Sequence, residues 1–298
     1  MNPFSTQHYW LNIDKPLGLS SAKIVAMVKK MTGAKKVGHA GTLDPLASGV
    51  LPIAVNKATK TCDYIVNATK KYYFEITWGE LRDTDDFEGS IVETSTKRPE
   101  ISDIIDVLPH FLGEISQTPS KFSAIKINGK KAYELARSNT EFELKPRLIH
   151  ITQIHLIFNN KTKAGFEISC SKGTYIRSFA RDLSMKLGTC GFVSTLRRIE
   201  VGQFHINNII SLDKLKNMIT FSRVFDDSIF KLRDVLYFMA EIAINDDLYF
   251  KVKNGQTIQI SFDSSDLNQD NLVKIINNDV IVGLGKISEN GLKPTIIF

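Results

Sequence analysis

The chain has 298 residues, 43% of them hydrophobic, with 38 Lys and Arg against 32 Asp and Glu for a net charge of +6. That length and apolar content fit one large domain with a small one attached, not a disordered chain. Only three cysteines, with no Cys-x-x-Cys pair, argue against a disulfide framework or a cysteine-rich zinc site, and the mild positive surplus permits a nucleic-acid partner without requiring one.

The start, MNPFSTQHYWLNIDKP, has no basic-then-apolar leader, and no uncharged apolar run is long enough to span a bilayer. A cytoplasmic protein is expected. HYWLNIDKP predicts a first strand ending in a Lys15-Pro16-Leu17-Gly18 turn. Ser20 or Ser21 then caps a helix with Ile24, Val28 and Met31 on one face, Lys29 and Lys30 near its end and Gly33 beyond it. KKYYFEITWG alternates Tyr72, Phe74, Ile76 and Trp78 against polar neighbours, as a strand does. An acidic turn, RDTDDFEGS, joins it to the shorter strand SIVET. Residues 100–113 read as a helix with its loop, and residues 118–147 as a long basic excursion rather than core. FEISCSKGTYIRSFARDLSMKLG predicts a strand, a Lys-Gly-Thr turn and a helix ended by Gly188. After about residue 220 a connecting region leads to the strand-like runs YFKVKNGQTIQI and LVKIINNDVIVGLGKI, with turn signals between them.

The chemistry concentrates around VGHAGTLDPLASGVL, where Asp44 sits among small and apolar residues. Asp-Pro is a common turn signal, so a turn-capping aspartate is the plainer reading. The alternative is a reactive carboxylate, projected from a loop by Pro45 and approached closely through Gly38, Gly41 and Gly49. A metal site on His39 and Asp44 lacks further ligands at useful spacing. The turn Asp83-Thr84-Asp85-Asp86 fails the calcium-loop pattern, since Phe87 stands at its fifth position and the glycine, Gly89, comes one place late. It reads as a solvated hairpin turn from which Asp86 reaches a functional partner. A carboxylate that stays ionised under a substrate needs a charge partner. Arg177 is the candidate, because an arginine in the first turn of a helix opposes the dipole there.

KPLGLSS (15–21), GHAGTLDPLASGVLP (38–52), ATK (58–60), KKYYFEITWG (70–79), the D-T-x-D turn (83–86), PSKFSAIKINGKKAYELAR (119–137), SKGTYIRS (171–178) and TLRRIEVGQF (195–204) occur together in this order. In this the chain resembles the TruB family, the bacterial tRNA pseudouridine-55 synthases, over roughly residues 9–215. Ala40 stands where relatives usually carry threonine, and Phe122 where many carry tyrosine. The resemblance implies a mixed α/β pseudouridine synthase domain (1–238) with a predominantly antiparallel sheet. Within it, 118–147 would be a thumb-like insertion that clamps RNA. A short, all-β PUA-like module (239–298) would follow. It implies isomerisation of uridine to pseudouridine in the tRNA T loop, with no cofactor and no metal, tRNA as partner, and a monomer. Asp44 would be the nucleophile or general base, held ionised by Arg177. His39 would support the flipped-out nucleotide, Tyr72 would stack on the uracil and assist proton removal from C5, Tyr175 and Leu196 would line the pocket, and Lys172 would meet a phosphate. Two other readings use the same residues: a non-catalytic RNA-folding protein, and a carboxylate hydrolase of nucleosides or sugars using Asp44 with Asp86.

Overall fold

The computed structural model describes residues 3–138, 140–221, 227–260 and 271–298. A short helix, α1 (Pro3–Thr6), precedes strand β1 (Tyr9–Lys15). Helix α2 (Ser21–Thr32) begins where the Ser20 side chain accepts a bond from the Lys23 N–H and ends at Gly33, whose φ of 69° is left-handed. Its buried stripe includes Ile24 and Val28, as the spacing predicts. Strands β2 (Val37–His39) and β3 (Ala47–Val55) flank the loop that carries Asp44. Beyond α3 (Cys62–Val66), β4 (Lys70–Trp78) keeps the expected alternation, burying Tyr72, Phe74, Ile76 and Trp78 and half-exposing the residues between.

Strands β5 (Glu80–Arg82) and β6 (Ile91–Thr94) pair around the acidic turn. Next come α4 (Ile101–Val107) and β7 (Gly113–Gln117). The excursion holds two paired two-residue strands, β8 (Lys126–Ile127) and β9 (Lys130–Lys131), and helix α5 (Ala132–Arg137). Its root is not wholly outside the core as the sequence reading supposes, since Ser120 and Ser123 are buried. Strands β10 (Arg147–Asn159) and β11 (Lys163–Cys170), helix α6 (Ile176–Lys186), and strands β12 (Gly191–Val201) and β13 (Phe204–His205) follow. Helix α7 (Leu212–Thr220), β14 (Ile229–Lys231) and α8 (Leu232–Val235) complete this part.

The large sheet runs β14-β1-β3-β12-β4-β11-β10-β7, with β2 on β3 and β13 on β12. Its pairings are antiparallel except β3 with β12, which is parallel and sets Ala47, Ser48 and Gly49 opposite Leu196, Arg197 and Arg198. The mixed α/β, mostly antiparallel architecture expected from the sequence is present. Helices α4 and α6 bury one core against the sheet, where the Phe74 ring stacks on Phe166 at 5.3 Å and meets the edge of Phe179 at 5.6 Å. Helices α2 and α7 bury another through Ile24, Val28, Leu215 and Met218.

Strands β15 (Ala240–Ala243), β16 (Leu272–Asn277), β17 (Val280–Ser288) and β18 (Gly291–Ile297) form a separate four-stranded sheet. Leu284 and Phe298 dock it on Trp10, Phe204 and Val235 of the larger part. The strand-like reading of 249–260 fails, since beyond a helix only Ile258 makes an isolated bridge, to Leu292. Helix α9 (Asp246–Lys253) lies there, capped by the Asn245 side chain on the Leu248 N–H. Acidic Asp246 and Asp247 open it and basic Lys251 and Lys253 close it, the charge order a helix dipole favours. Among the described residues no helix is long and apolar enough to cross a membrane.

The parallel pair depends on Gly49. Its φ is +100°, and a Cβ there would stand 2.2 Å from the Arg198 carbonyl oxygen. We predict that Gly49→Ala costs at least about 2 kcal/mol by forcing β12 off β3. Gly255→Ala, also at positive φ but with open space around it, should cost only about 1 kcal/mol. Urea denaturation of both variants checks this, and equal midpoints would refute it.

Candidate active site

The loop between β2 and β3 is fixed before its carboxylate is considered. Ser21 of α2 holds both backbone groups of Leu43, donating to its carbonyl at 3.0 Å and accepting from its N–H at 2.8 Å. The buried Lys15 ammonium donates to the carbonyls of Pro16 (2.8 Å), Leu19 (2.7 Å) and Pro45 (3.2 Å). The Pro45 carbonyl also accepts the Gly18 N–H, and that of Asp44 accepts the Ala47 N–H. Burial pulls Lys15 down to about 8, and the opposing charge of Asp44 works the other way.

With the backbone turn closed by other groups, the Asp44 side chain reaches across the molecule. Its Oδ2 lies 2.9 Å from Nη2 of Arg177, on the first turn of α6. The Arg177 side chain is 6% exposed and the Asp44 side chain 41%. Arg177 makes three further contacts: Nη1 to Asp86 Oδ2 at 3.3 Å and to the Thr84 carbonyl at 2.9 Å, and Nη2 to the Phe122 carbonyl at 3.0 Å. A guanidinium buried this deeply requires such a set of acceptors. Asp86 thus reaches Arg177, but the acidic turn is not the solvated hairpin turn that the sequence reading expects, because Asp85 and Asp86 are both buried.

Asp44 and Arg177 line a cavity of about 200 Å³ together with Tyr72, Lys172, Tyr175 and Leu196. The structure therefore brings together six of the seven residues singled out in the sequence. Tyr72 arrives from β4, Leu196 from β12, and Lys172 and Tyr175 from the turn before α6. Lys172 donates to Asn67 Oδ1 at 2.7 Å. Burial raises the Tyr72 and Tyr175 hydroxyls above their ordinary pKa, so both remain phenols at neutral pH. His39 is the exception. It lies on β2 and does not line the cavity, its Nδ1 is buried without a hydrogen-bond partner, and burial, then Arg198, lowers its pKa below the usual value.

Sequence reasoning missed two cations that line the cavity, Arg198 and Lys70. Arg198 is 1% exposed and binds the carbonyls of Val50 at 2.8 Å and Gly41 at 3.0 Å, tying β12 to β3 and to the Asp44 loop. Period-two alternation sets it on the face of Leu196, which is the signal that could have found it. Lys70 is buried as well, donating to the carbonyls of Val66 and Ala68, and burial lowers it to about 8. Among the described residues no group of three or more His, Cys, Asp or Glu could hold a metal ion.

Removing Arg177 would orphan two carboxylates, one of them, Asp86, only 11% exposed. We predict that Arg177→Met costs about 3 kcal/mol, and that adding Asp86→Asn recovers part of it because a buried charge disappears. Urea unfolding of the single and double variants reads this, and a double variant less stable than Arg177→Met would contradict it.

Two family models match the chain: the TruB family pseudouridylate synthase N-terminal domain over residues 29–176, and the tRNA pseudouridylate synthase B C-terminal domain over residues 177–242. The tRNA pseudouridine synthase B of Ehrlichia ruminantium (strain Gardel) is 42% identical over 296 residues, covering 97% of this chain and 98% of the relative. That of Anaplasma phagocytophilum (strain HZ) is 46% identical over 256 residues, 85% of each chain. A chain from the crystal structure of a Cbf5-Nop10-Gar1 complex has the same fold, with a TM-score of 0.73 at 25% identity over 97% of this chain and 84% of that one. Sequence identity sustained from one end of the chain to the other, across the loop, helix and strands that assemble the Asp44 cavity, means that this chain belongs to the TruB family of pseudouridylate synthases.

Proposed function

We propose that this enzyme isomerises uridine to pseudouridine in the T loop of tRNA, at position 55, with Asp44 as its essential group. The observation that carries the reading is the Asp44–Arg177 pair, a half-exposed carboxylate facing an open cavity from a fully anchored cation. When a flipped-out base excludes water, the counter-charge of that carboxylate is already desolvated and cannot turn away. Flipping costs about a few kcal/mol, which binding of the surrounding RNA offsets.

The reaction breaks the N1–C1′ bond, turns the uracil in place and joins C5 to C1′; N1 gains a proton and C5 loses one. Asp44 acts at the sugar, as nucleophile on C1′ or as base toward its neighbouring hydrogen, and both require the charged form. Tyr72 stacks on the base. Burial keeps it a phenol, which suits a stacking platform better than a proton acceptor. Leu196 and Tyr175 confine the freed uracil while it turns, and Lys172 meets a phosphate. His39 stays neutral and fills space behind the Asp44 loop. The 118–147 segment is the thumb that clamps the T arm, and residues 239–298 extend the RNA surface as a PUA-like module. Both contribute binding more than chemistry.

Asp44→Asn keeps the shape of the side chain and removes its charge. Single-turnover tritium release from a T-arm stem-loop labelled at uridine C5 should fall below detection. Affinity should stay within roughly tenfold, about 1.4 kcal/mol, because phosphate contacts dominate binding. Turnover at the wild-type rate would leave Asp44 as a turn residue and the protein as an RNA binder.

Exchanging Lys126, Lys130 and Lys131 for Gln should weaken stem-loop binding and flatten its dependence on salt, since fewer counterions are released. Filter-binding titrations at several salt concentrations measure this. An unchanged slope would remove the thumb from the RNA interface.

A further inference from the structure

The root of the 118–147 segment is joined to α6 by contacts that the chemistry above does not use. Gln117, the last residue of β7, is 2% exposed, and its amide pairs with both backbone groups of Tyr175. Oε1 accepts the Tyr175 N–H at 2.8 Å, and Nε2 donates to the Tyr175 carbonyl at 3.1 Å. Tyr175 is the N-cap residue of α6, and its own side chain makes no capping bond. Gln117 therefore holds the helix start from outside, on the residue whose ring lines the cavity.

One turn further along the helix, Arg181 makes a second tie. Its Nη2 donates to the Thr118 carbonyl at 2.9 Å, and its Nη1 lies 3.2 Å from Oδ2 of the buried Asp85, at a φ of 61° in the acidic turn. Asp182 Oδ1 takes its Nε at 2.9 Å. Gln117 and Arg181 thus flank Arg177, whose own bond to Phe122 reaches the same root. A displacement of residues 117–122 would pass to α6 through side chains spaced along its first two turns.

We propose that Gln117 and Arg181 are positioning residues that make the root of this segment and the start of α6 one rigid unit, so that Arg177 stays held against Asp44 when RNA seats under the segment. The proposal rests on the reading of Asp44 as the reacting group. Neither residue touches substrate; each acts through Tyr175 or Arg177. Their loss should slow the chemical step and leave RNA binding almost intact, because the phosphate-facing lysines are elsewhere.

The test uses the full chain with Gln117→Met, Gln117→Glu, Arg181→Met and the Gln117→Met/Arg181→Met double variant. Gln117→Glu can still accept the Tyr175 N–H but cannot donate to the carbonyl, and so breaks half the tie if Gln117→Met fails to fold. Single-turnover rates on saturating stem-loop should fall about tenfold to a hundredfold in the single variants, with Kd within about threefold. The double variant should lose little more than the worse single, as members of one unit do. In Gln117→Met, hydrogen exchange at the Tyr175 amide should accelerate while exchange in β4 and β11 does not, a result that does not depend on activity. Wild-type rates in Gln117→Glu and Arg181→Met would overturn the proposal and leave Asp44 untouched, as would parallel losses of rate and affinity. An inactive wild-type chain would sink the reading of Asp44 and this proposal with it.

Discussion

One buried guanidinium organises this molecule. Arg177 is shared by two carboxylates and two backbone carbonyls that come from three separate parts of the chain: the Asp44 loop, the acidic turn and the root of the 118–147 segment. A desolvated cation cannot go without acceptors, so each of these parts is held at a fixed distance from α6. Its place in the first helical turn opposes the dipole, a local cost that these long-range acceptors offset.

The remainder of the site repeats this plan with neutral acceptors. Lys15, Lys70 and Arg198 are each buried and each bind main-chain carbonyls, fixing loops whose own sequences lack regular structure. A rigid shell of cations surrounds a cavity with a single accessible carboxylate among its lining residues, Asp44. For an enzyme whose substrate is tRNA, a polyanion, this arrangement surrounds the cavity with positive charge and leaves one carboxylate accessible within it.

Much of this was legible in the sequence. The alternation of Tyr72 to Trp78, the Ser20 cap and the Gly33 stop are local signals, and local rules predicted β4 and α2 correctly. Arg177 was conspicuous because it broke a local rule, and the structure shows the long-range contacts that compensate. Arg198 escaped because its partners, the carbonyls of Gly41 and Val50, are main-chain atoms that no residue type advertises. The start of 249–260 was misread because apolar and polar residues alternate there, although Asn245 and the ordered charges of α9 marked a helix. His39 stood inside the motif yet lies off the cavity wall, since membership of a motif does not specify which way a side chain faces.

The parallel pairing of β3 with β12 has a consequence for how the chain comes to be. The Arg198 bond to Val50 spans 148 positions, and the Asp44–Arg177 pair closes a loop nearly as long. Contacts so distant are entropically late, and a ribosome delivers the N-terminal partner first. While the chain is being made, Asp44 emerges early and waits in a nascent hairpin without its cation. No competent cavity exists until the polypeptide has grown past β12. Synthesis itself thus keeps this carboxylate apart from its cation until the segment 118–147 and α6 have been translated.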